Sequence, residues 1–538
     1  MHSSTSAVPE RSTTPNARAR TWGDTRVRRL AAMAAALVLV SACSSGDTID
    51  GRDGTSSRRD TGNDPDAPTT SPDDGSPSTT DQGSASSAIE WDDCGGLQCG
   101  ELEVPRDHFG DEPNDTITLA LAMRPAEKPD ERVGAILLNP GGPGAAGRDL
   151  PEALESQFPD EVLDRFDLVG WDPRGTGAST AVDCGEDLDG FFATDKSPDT
   201  AAEEADNVEA AERFAADCAA KHGDLLPFLS TTQTVEDMDA IRAALGDDGL
   251  TYLGFSYGTY LGVRYAEAHP ERVRALVLDG PVDPSLEPAA TTTQQSIGFE
   301  RALEAFFAWC EEDECEFSPA DPRDGFRRLM AQIDAERLYA DAGGSERGLG
   351  PGEADLGVAV ALYSGDAAYE FLAKALAEAA QGDGSQLLEF ADLYTGRIDD
   401  NDYDGSMAAF YAIGCVDSLR PTLDSVRDLG DDLTADAPFL GAANAWLGLP
   451  CVYWPVEPDP AAAPRRIEVA AGTPILVTAT DGDPATPIEW AEGLAEQLAA
   501  PLLVAESNQH TAFGAGDSCV DALIVEFLVD PERAETEC

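Results

Sequence analysis

The chain has 538 residues, and its 36 Lys+Arg against 101 Asp+Glu give a formal net charge of −65. A field of that sign repels phosphate backbones and anionic lipid headgroups, so nucleic-acid binding and adsorption of the protein surface to a membrane are excluded as functions. The acid excess reads as a solvated surface around a core large enough for several layers of structure.

The N-terminus differs from the rest. Arg18, Arg20, Arg26, Arg28 and Arg29 precede the apolar run "LAAMAAALVLV" (30–40), which "SAC" closes at Cys43. A basic stretch, a short apolar stretch and small residues make an export signal, here residues 1–42. The apolar run is too short to span a bilayer. "VSAC" has the pattern of a bacterial lipobox, which predicts acylation of Cys43 and a place on the outer face of the cell membrane, lipid-anchored or secreted. Residues 43–88 are Ser, Thr, Asp, Gly and Pro with almost no large apolar residue, so they read as a disordered tether. Order is predicted to begin near "AIEWDDCGGLQCGELEVP". No internal repeat is visible.

Beyond Cys43 there are ten cysteines, which in an exported chain read as five disulfides. They fall into sequential couples, 94–99, 184–218, 310–315, 415–451 and 519–538, and that pairing is the expectation. No couple has a neighbouring histidine or a second couple at zinc-finger spacing, so no metal is expected.

Downstream, short apolar runs alternate with helical patterns. Buried strands are predicted at 116–125, 134–140, 166–173, 250–256, 273–281, 473–481 and 500–506. A helix is predicted at 234–246, with Val235, Met238, Ile241 and Leu245 on one face. Such alternation implies an α/β fold, a mostly parallel sheet covered by helices on both faces. Residues 285–465 are mainly helical in pattern and too many for one crossover. They are expected to form an inserted helical cap between two parts of the core, 89–284 and 466–538, and to cover a site at the strands' C-terminal edge.

"GFSYG" (254–258) follows the strand pattern "LTYL" and opens the helical pattern "TYLGVRYAEAH". That is the context of a nucleophile elbow, in which glycines flank a serine because side chains there would strike backbone. Ser256 would then lie at a helix N-terminus, whose partial positive charge favours a developing oxyanion. A serine hydroxyl needs a base, normally a histidine oriented by a carboxylate. Of five histidines, His2 leaves with the signal, His108 and His222 lie upstream, and His269 ends the elbow's own helix. His510, on the loop after the last strand, has the chain order this chemistry uses. For the acid, Asp483 in "TATDGDPATP" is preferred, with Asp481 next; Asp279 and Asp283 read as turn residues. The oxyanion donors are expected to be the N–H of Tyr257 and one from the glycine loop "NPGGPG" (139–144). That loop lacks dinucleotide spacing, and no cofactor is expected. In "WDPRGTGAS" (171–179), Arg174 reads as a tie between loops.

Together "NPGGPG", "WDPRGTGAS", "GFSYGTYLG", "DGDPATP", His510 and the paired cysteines resemble the secreted tripeptidyl aminopeptidase-like α/β-hydrolases of actinobacteria, relatives of the prolyl aminopeptidases, over about residues 90–538. The resemblance implies the α/β-hydrolase fold and a serine exopeptidase or esterase; peptide substrates and a monomeric protein are expected. It carries the nucleophile onto Ser256, the acid onto Asp483, the base onto His510, and the oxyanion donors onto Gly142 and Tyr257. Asn139-Pro140 and Tyr257 stand where prolyl aminopeptidases usually have His and Trp, which moves the likeness away from strict proline specificity. Asp417, in "AIGCVDS", resembles a cap motif and is a candidate anchor for a substrate amine. The alternatives are a carboxylesterase of the same fold and a silent surface binding protein.

Overall fold

The computed structural model describes residues 89–538 apart from 113, 186, 313–314, 318–320 and 534–537. The predicted signal, Cys43 and the tether lie outside the described residues.

Nine strands form one sheet: β1 (Trp91–Asp93), β2 (Gln98–Pro105), β3 (Thr116–Arg124), β4 (Gly134–Asn139), β5 (Phe166–Trp171), β6 (Leu250–Phe255), β7 (Val273–Asp279), β8 (Ile475–Thr480) and β9 (Leu502–Ala505). Their order is β1-β2-β3-β5-β4-β6-β7-β8-β9. The first three are joined to one another and to β5 antiparallel; from β5 through β9 every pairing is parallel. The seven predicted strands all form. Most stop short of the predicted C-terminal limit because glycine and proline turns take over there. Two edge strands, β1 and β2, escaped the strand reading: in β2 Leu102 and Val104 are buried while Glu101 and Glu103 face solvent, a half-buried alternation that a search for buried runs passes over.

The central strands are buried on both faces, and the twofold alternation sorts their side chains. Leu137, Val169, Tyr252, Leu276 and Val477 face one apolar cluster. It also holds Phe214 of α1 (Ala201–His222), Met238 and Ile241 of α2 (Thr231–Ala244), and Leu261 of α3 (Tyr257–Ala268). Ile136, Leu138, Leu168, Leu253 and Val277 face the other, closed by Ile524 and Phe527 of the C-terminal helix Ser518–Val529. Each such side chain contributes roughly 1.5–3 kcal/mol on burial. A one-residue register slip would exchange the two sets, so the pattern pins the register.

Residues 280–474, between β7 and β8, are mostly helical, with two short hairpins at 341–346 and 397–403. Their long helices α4 (Pro288–Glu312) and α5 (Pro351–Tyr363) build a separate cluster around Phe306, Phe307, Leu362 and Leu372. The ten cysteines form five disulfides in the sequential couples expected. Arg174 is fully buried and is a tie as expected: its guanidinium donates to both oxygens of Asp237 at 2.7 Å and to the carbonyls of Arg106 and Phe228.

Candidate active site

β6 runs into a turn one residue long and then straight into α3. Ser256 occupies that turn at φ 54°, ψ −123°, outside the regions ordinary residues prefer. Crowding accounts for the flanking glycines. A Cβ on Gly254 would meet the Tyr252 ring at 2.4 Å and the Gly258 carbonyl at 2.7 Å, and one on Gly258 would meet Asn139 Oδ1 at 2.6 Å. Gly141, at φ 97°, lies directly against the elbow: a Cβ there would meet Phe255 O at 2.5 Å and come within 3.2 Å of Tyr257 N. The glycine loop after β4 and the elbow after β6 are therefore in contact, at the point where the strand order reverses. The Gly141 N–H is taken by Asn139 Oδ1 at 3.0 Å, which leaves Gly142 as the loop's next donor. The N–H of Tyr257, first in α3, has no intrahelical acceptor.

His510 follows β9. Its Nδ1 lies 2.9 Å from both oxygens of Asp483, with the imidazole and the carboxylate both buried. Asp483 also accepts from the N–H groups of Ala485 (2.9 Å) and Thr486 (2.8 Å), from Thr511 N (3.3 Å), and from Thr486 Oγ1 (2.9 Å). So many donors lock the carboxylate's orientation, and it in turn holds the proton on Nδ1. Nε2 is left buried with no hydrogen-bond partner in the protein. His510 and Ser256 line the same cavity of about 370 Å³, together with Gly142.

Asp481 does not reach His510; its carboxylate accepts from Ser507 N at 2.9 Å. The other three described histidines are engaged elsewhere, His108 with Asp237, His222 with Asp183 and His269 with Glu236. Asp283 is a turn residue as read, accepting from Ser285 N at 2.9 Å. Asp279 is more than that. It is fully buried at the end of β7, and its two oxygens accept from Ala512 N and Phe513 N, each at 2.8 Å, which fixes the loop carrying His510. Burial pushes its carboxyl up, and the two amides act against that. A turn reading of Asp279 does not contain this role, because the partner loop is more than 200 residues away in the chain.

Asp417 lies behind the elbow rather than along the cavity wall, which its neighbours Cys415 and Ser418 line. Its carboxylate accepts from Thr231 N (2.9 Å), Thr231 Oγ1 (2.6 Å) and the Tyr257 hydroxyl (3.3 Å). Burial pushes it up to about 7, against the pull of the Thr231 donors. Its contacts make it a tie between the helical segment and the residue after Ser256. Tyr363, at the end of α5, was not singled out from sequence. Its carbonyl accepts from His510 N at 2.8 Å and its ring stands edge-on to the imidazole at 5.4 Å.

A serine on a strained elbow, a buried carboxylate–imidazole pair and free amides at a helix start define a serine hydrolase of the α/β-hydrolase fold. Residues 134–516 match the family described as alpha/beta hydrolase fold, and the chain belongs to that family. It is similar to "Serine protease Hip1" of Mycobacterium tuberculosis (strain ATCC 25618 / H37Rv), 36% identical over 82% of this chain and 88% of that protein. It is also similar to "Tripeptidyl aminopeptidase" of Streptomyces coelicolor, 30% identical over 83% and 84%, and to "Carboxylesterase B" of the same Mycobacterium strain, 34% identical over 80% and 84%. The chain is a serine hydrolase enzyme.

Proposed function

We propose that the enzyme is an exported aminopeptidase that releases short N-terminal fragments from peptides through an acyl-enzyme on Ser256. The reading rests above all on His510, whose Nε2 is buried without a partner and which lines the same cavity as Ser256. In it, Ser256 Oγ attacks the scissile carbonyl carbon as Nε2 takes its proton, and Asp483 stabilises the imidazolium. The N–H groups of Gly142 and Tyr257 receive the oxyanion. Collapse of the tetrahedral intermediate breaks the C–N bond and His510 returns the proton to the leaving amine. Water, activated by the same imidazole, then frees the N-terminal fragment and regenerates Ser256.

The helical segment serves as a cap: a Cβ on Gly365 would meet Asn508 C at 2.6 Å, so it packs tightly on the His510 loop. A cap restricts entry to narrow chain ends. The basic and apolar N-terminus with Cys43 supports export and a lipid anchor on the outer membrane face, with residues 43–88 as tether. Among the described residues no helix is long and apolar enough to cross a membrane.

The relative named a carboxylesterase supports a second reading, an esterase of the same fold. Tripeptidyl anilides with free and acetylated N-termini separate the two. The aminopeptidase cleaves the free form at least about 100-fold faster by kcat/KM, the cost of leaving an amine-binding site empty. Equal rates would leave the esterase.

A further inference from the structure

The cavity wall contains a carboxylate with no partner. Asp355, on α5, is 8% exposed and lines the cavity that Ser256 and His510 open into. Among the described residues nothing donates a hydrogen bond to it and no cation pairs with it. The charges that act on it are Asp195 and Asp334, both negative. Lys196 lines the same cavity, but its ammonium is held by the Phe191 carbonyl (3.1 Å), Thr194 Oγ1 and Asn207 Oδ1 (3.3 Å), over the Phe191 ring. Burial, with the charges of Asp195 and Asp334, pushes its carboxyl well above the usual carboxylate range, and a cation entering the cavity would restore the charge and supply the missing partner.

Its distance from the chemistry follows from the helix. Tyr363 at one end of α5 touches His510, while the other end packs on residues 192–194, where a Cβ on Gly352 would meet Thr194 O at 2.3 Å. Asp355 and Tyr363 are eight positions apart on α5, which at 1.5 Å per residue is about 12 Å. An extended chain advances about 3.3–3.6 Å per residue, so three residues plus an ammonium–carboxylate contact span about the same length.

We infer that Asp355 anchors the N-terminal ammonium of the substrate and, by its distance along α5 from Tyr363, the residue that touches His510, sets the released fragment at about three residues. The inference rests on the aminopeptidase reading and names its specificity group. Asp355 is a binding residue and takes no part in proton transfer at Ser256.

The test uses the full-length enzyme and Asp355→Asn, with Asp355→Ala as second variant. On a free-amine tripeptidyl anilide both variants are expected to lose about 100-fold in kcat/KM, mainly through KM. The rate on p-nitrophenyl acetate and labelling of Ser256 by a fluorophosphonate should stay at wild-type levels. Wild-type enzyme should favour tripeptidyl over dipeptidyl and tetrapeptidyl anilides, and the variants should flatten that preference. If wild type prefers free amines and the variants keep that preference, the anchor is overturned while the aminopeptidase reading stands. If wild type shows no such preference, both fall. Parallel loss of ester turnover and labelling would give Asp355 a structural role and also overturn the anchor. A lysine side chain offers the same ammonium, so an acetylated tripeptide beginning with Lys is the remaining arm. Its cleavage at the free-amine rate would overturn the N-terminal assignment.

Discussion

Around Ser256 the chemistry depends on a few atoms held by many. Asp483 receives backbone donors from Ala485, Thr486 and Thr511 besides the imidazole. An amide in its place would keep the shape but present the wrong atoms to Nδ1. Asp483→Asn is therefore expected to lower kcat about 10⁴-fold with little change in KM, and Ser256→Ala to abolish turnover of ester and peptide alike. Steady-state kinetics on a free-amine anilide, with a thermal melt to show folding, checks both. Near-wild-type kcat in either would remove the residue from the mechanism.

Helices in the inserted segment carry their own titration. Glu300, on α4, is 8% exposed and accepts from Phe439 N at 3.3 Å. Burial, with the Glu304 charge nearby, pushes its carboxyl up to about 7, while the Phe439 amide acts against that. A carboxyl raised on folding keeps a proton that the unfolded chain releases between its ordinary value near 4.5 and about 7. Stability from this group is therefore present at low pH, falls as pH rises through that window, and levels off above it. Glu300→Gln removes the slope and leaves an acceptor for Phe439. Urea unfolding at about pH 5 and pH 8 should show the variant gaining about 2 kcal/mol on wild type at the higher pH relative to the lower. An unchanged difference between the two pH values would refute the assignment. Asp417 ties the segment to α2 and the elbow through Thr231 and Tyr257, so the segment is braced against the residue that follows Ser256.

Over the whole molecule, 101 acidic residues against 36 basic ones produce self-repulsion that the fold's buried area and five disulfides chiefly oppose. Most ion pairs are at the surface and contribute little each. Salt screens both, with a Debye length of about 30 Å at 0.01 M and about 3 Å at 1 M. Long-range repulsion among the excess carboxylates should dominate, so Tm is expected to rise by several degrees from about 0.01 M to 1 M sodium chloride. A fall in calorimetric Tm would show that the surface pairs outweigh the net charge.

Local pattern was enough for the alternating architecture, the elbow and the five cysteine couples, because apolar period, glycine placement and chain separation are properties of neighbouring residues. His510 was legible for a different reason: five histidines and a fixed chain order leave few choices. The remaining assignments depend on contacts between distant segments. Asp481 and Asp483 are two residues apart on one turn, and the packing of β8 beside β9 brings Asp483, not Asp481, to His510. Asp279 looked like turn chemistry until the sheet placed the loop of Ala512 and Phe513 over it. Asp355 and Asp417 are both acids in the helical segment, alike as letters; one lines the cavity without a partner and the other is bonded to Thr231 behind it. A side chain's neighbours across a helix-to-sheet interface follow from register and packing, which a single sequence does not display, and here those neighbours separate a partnerless acid from a bonded one.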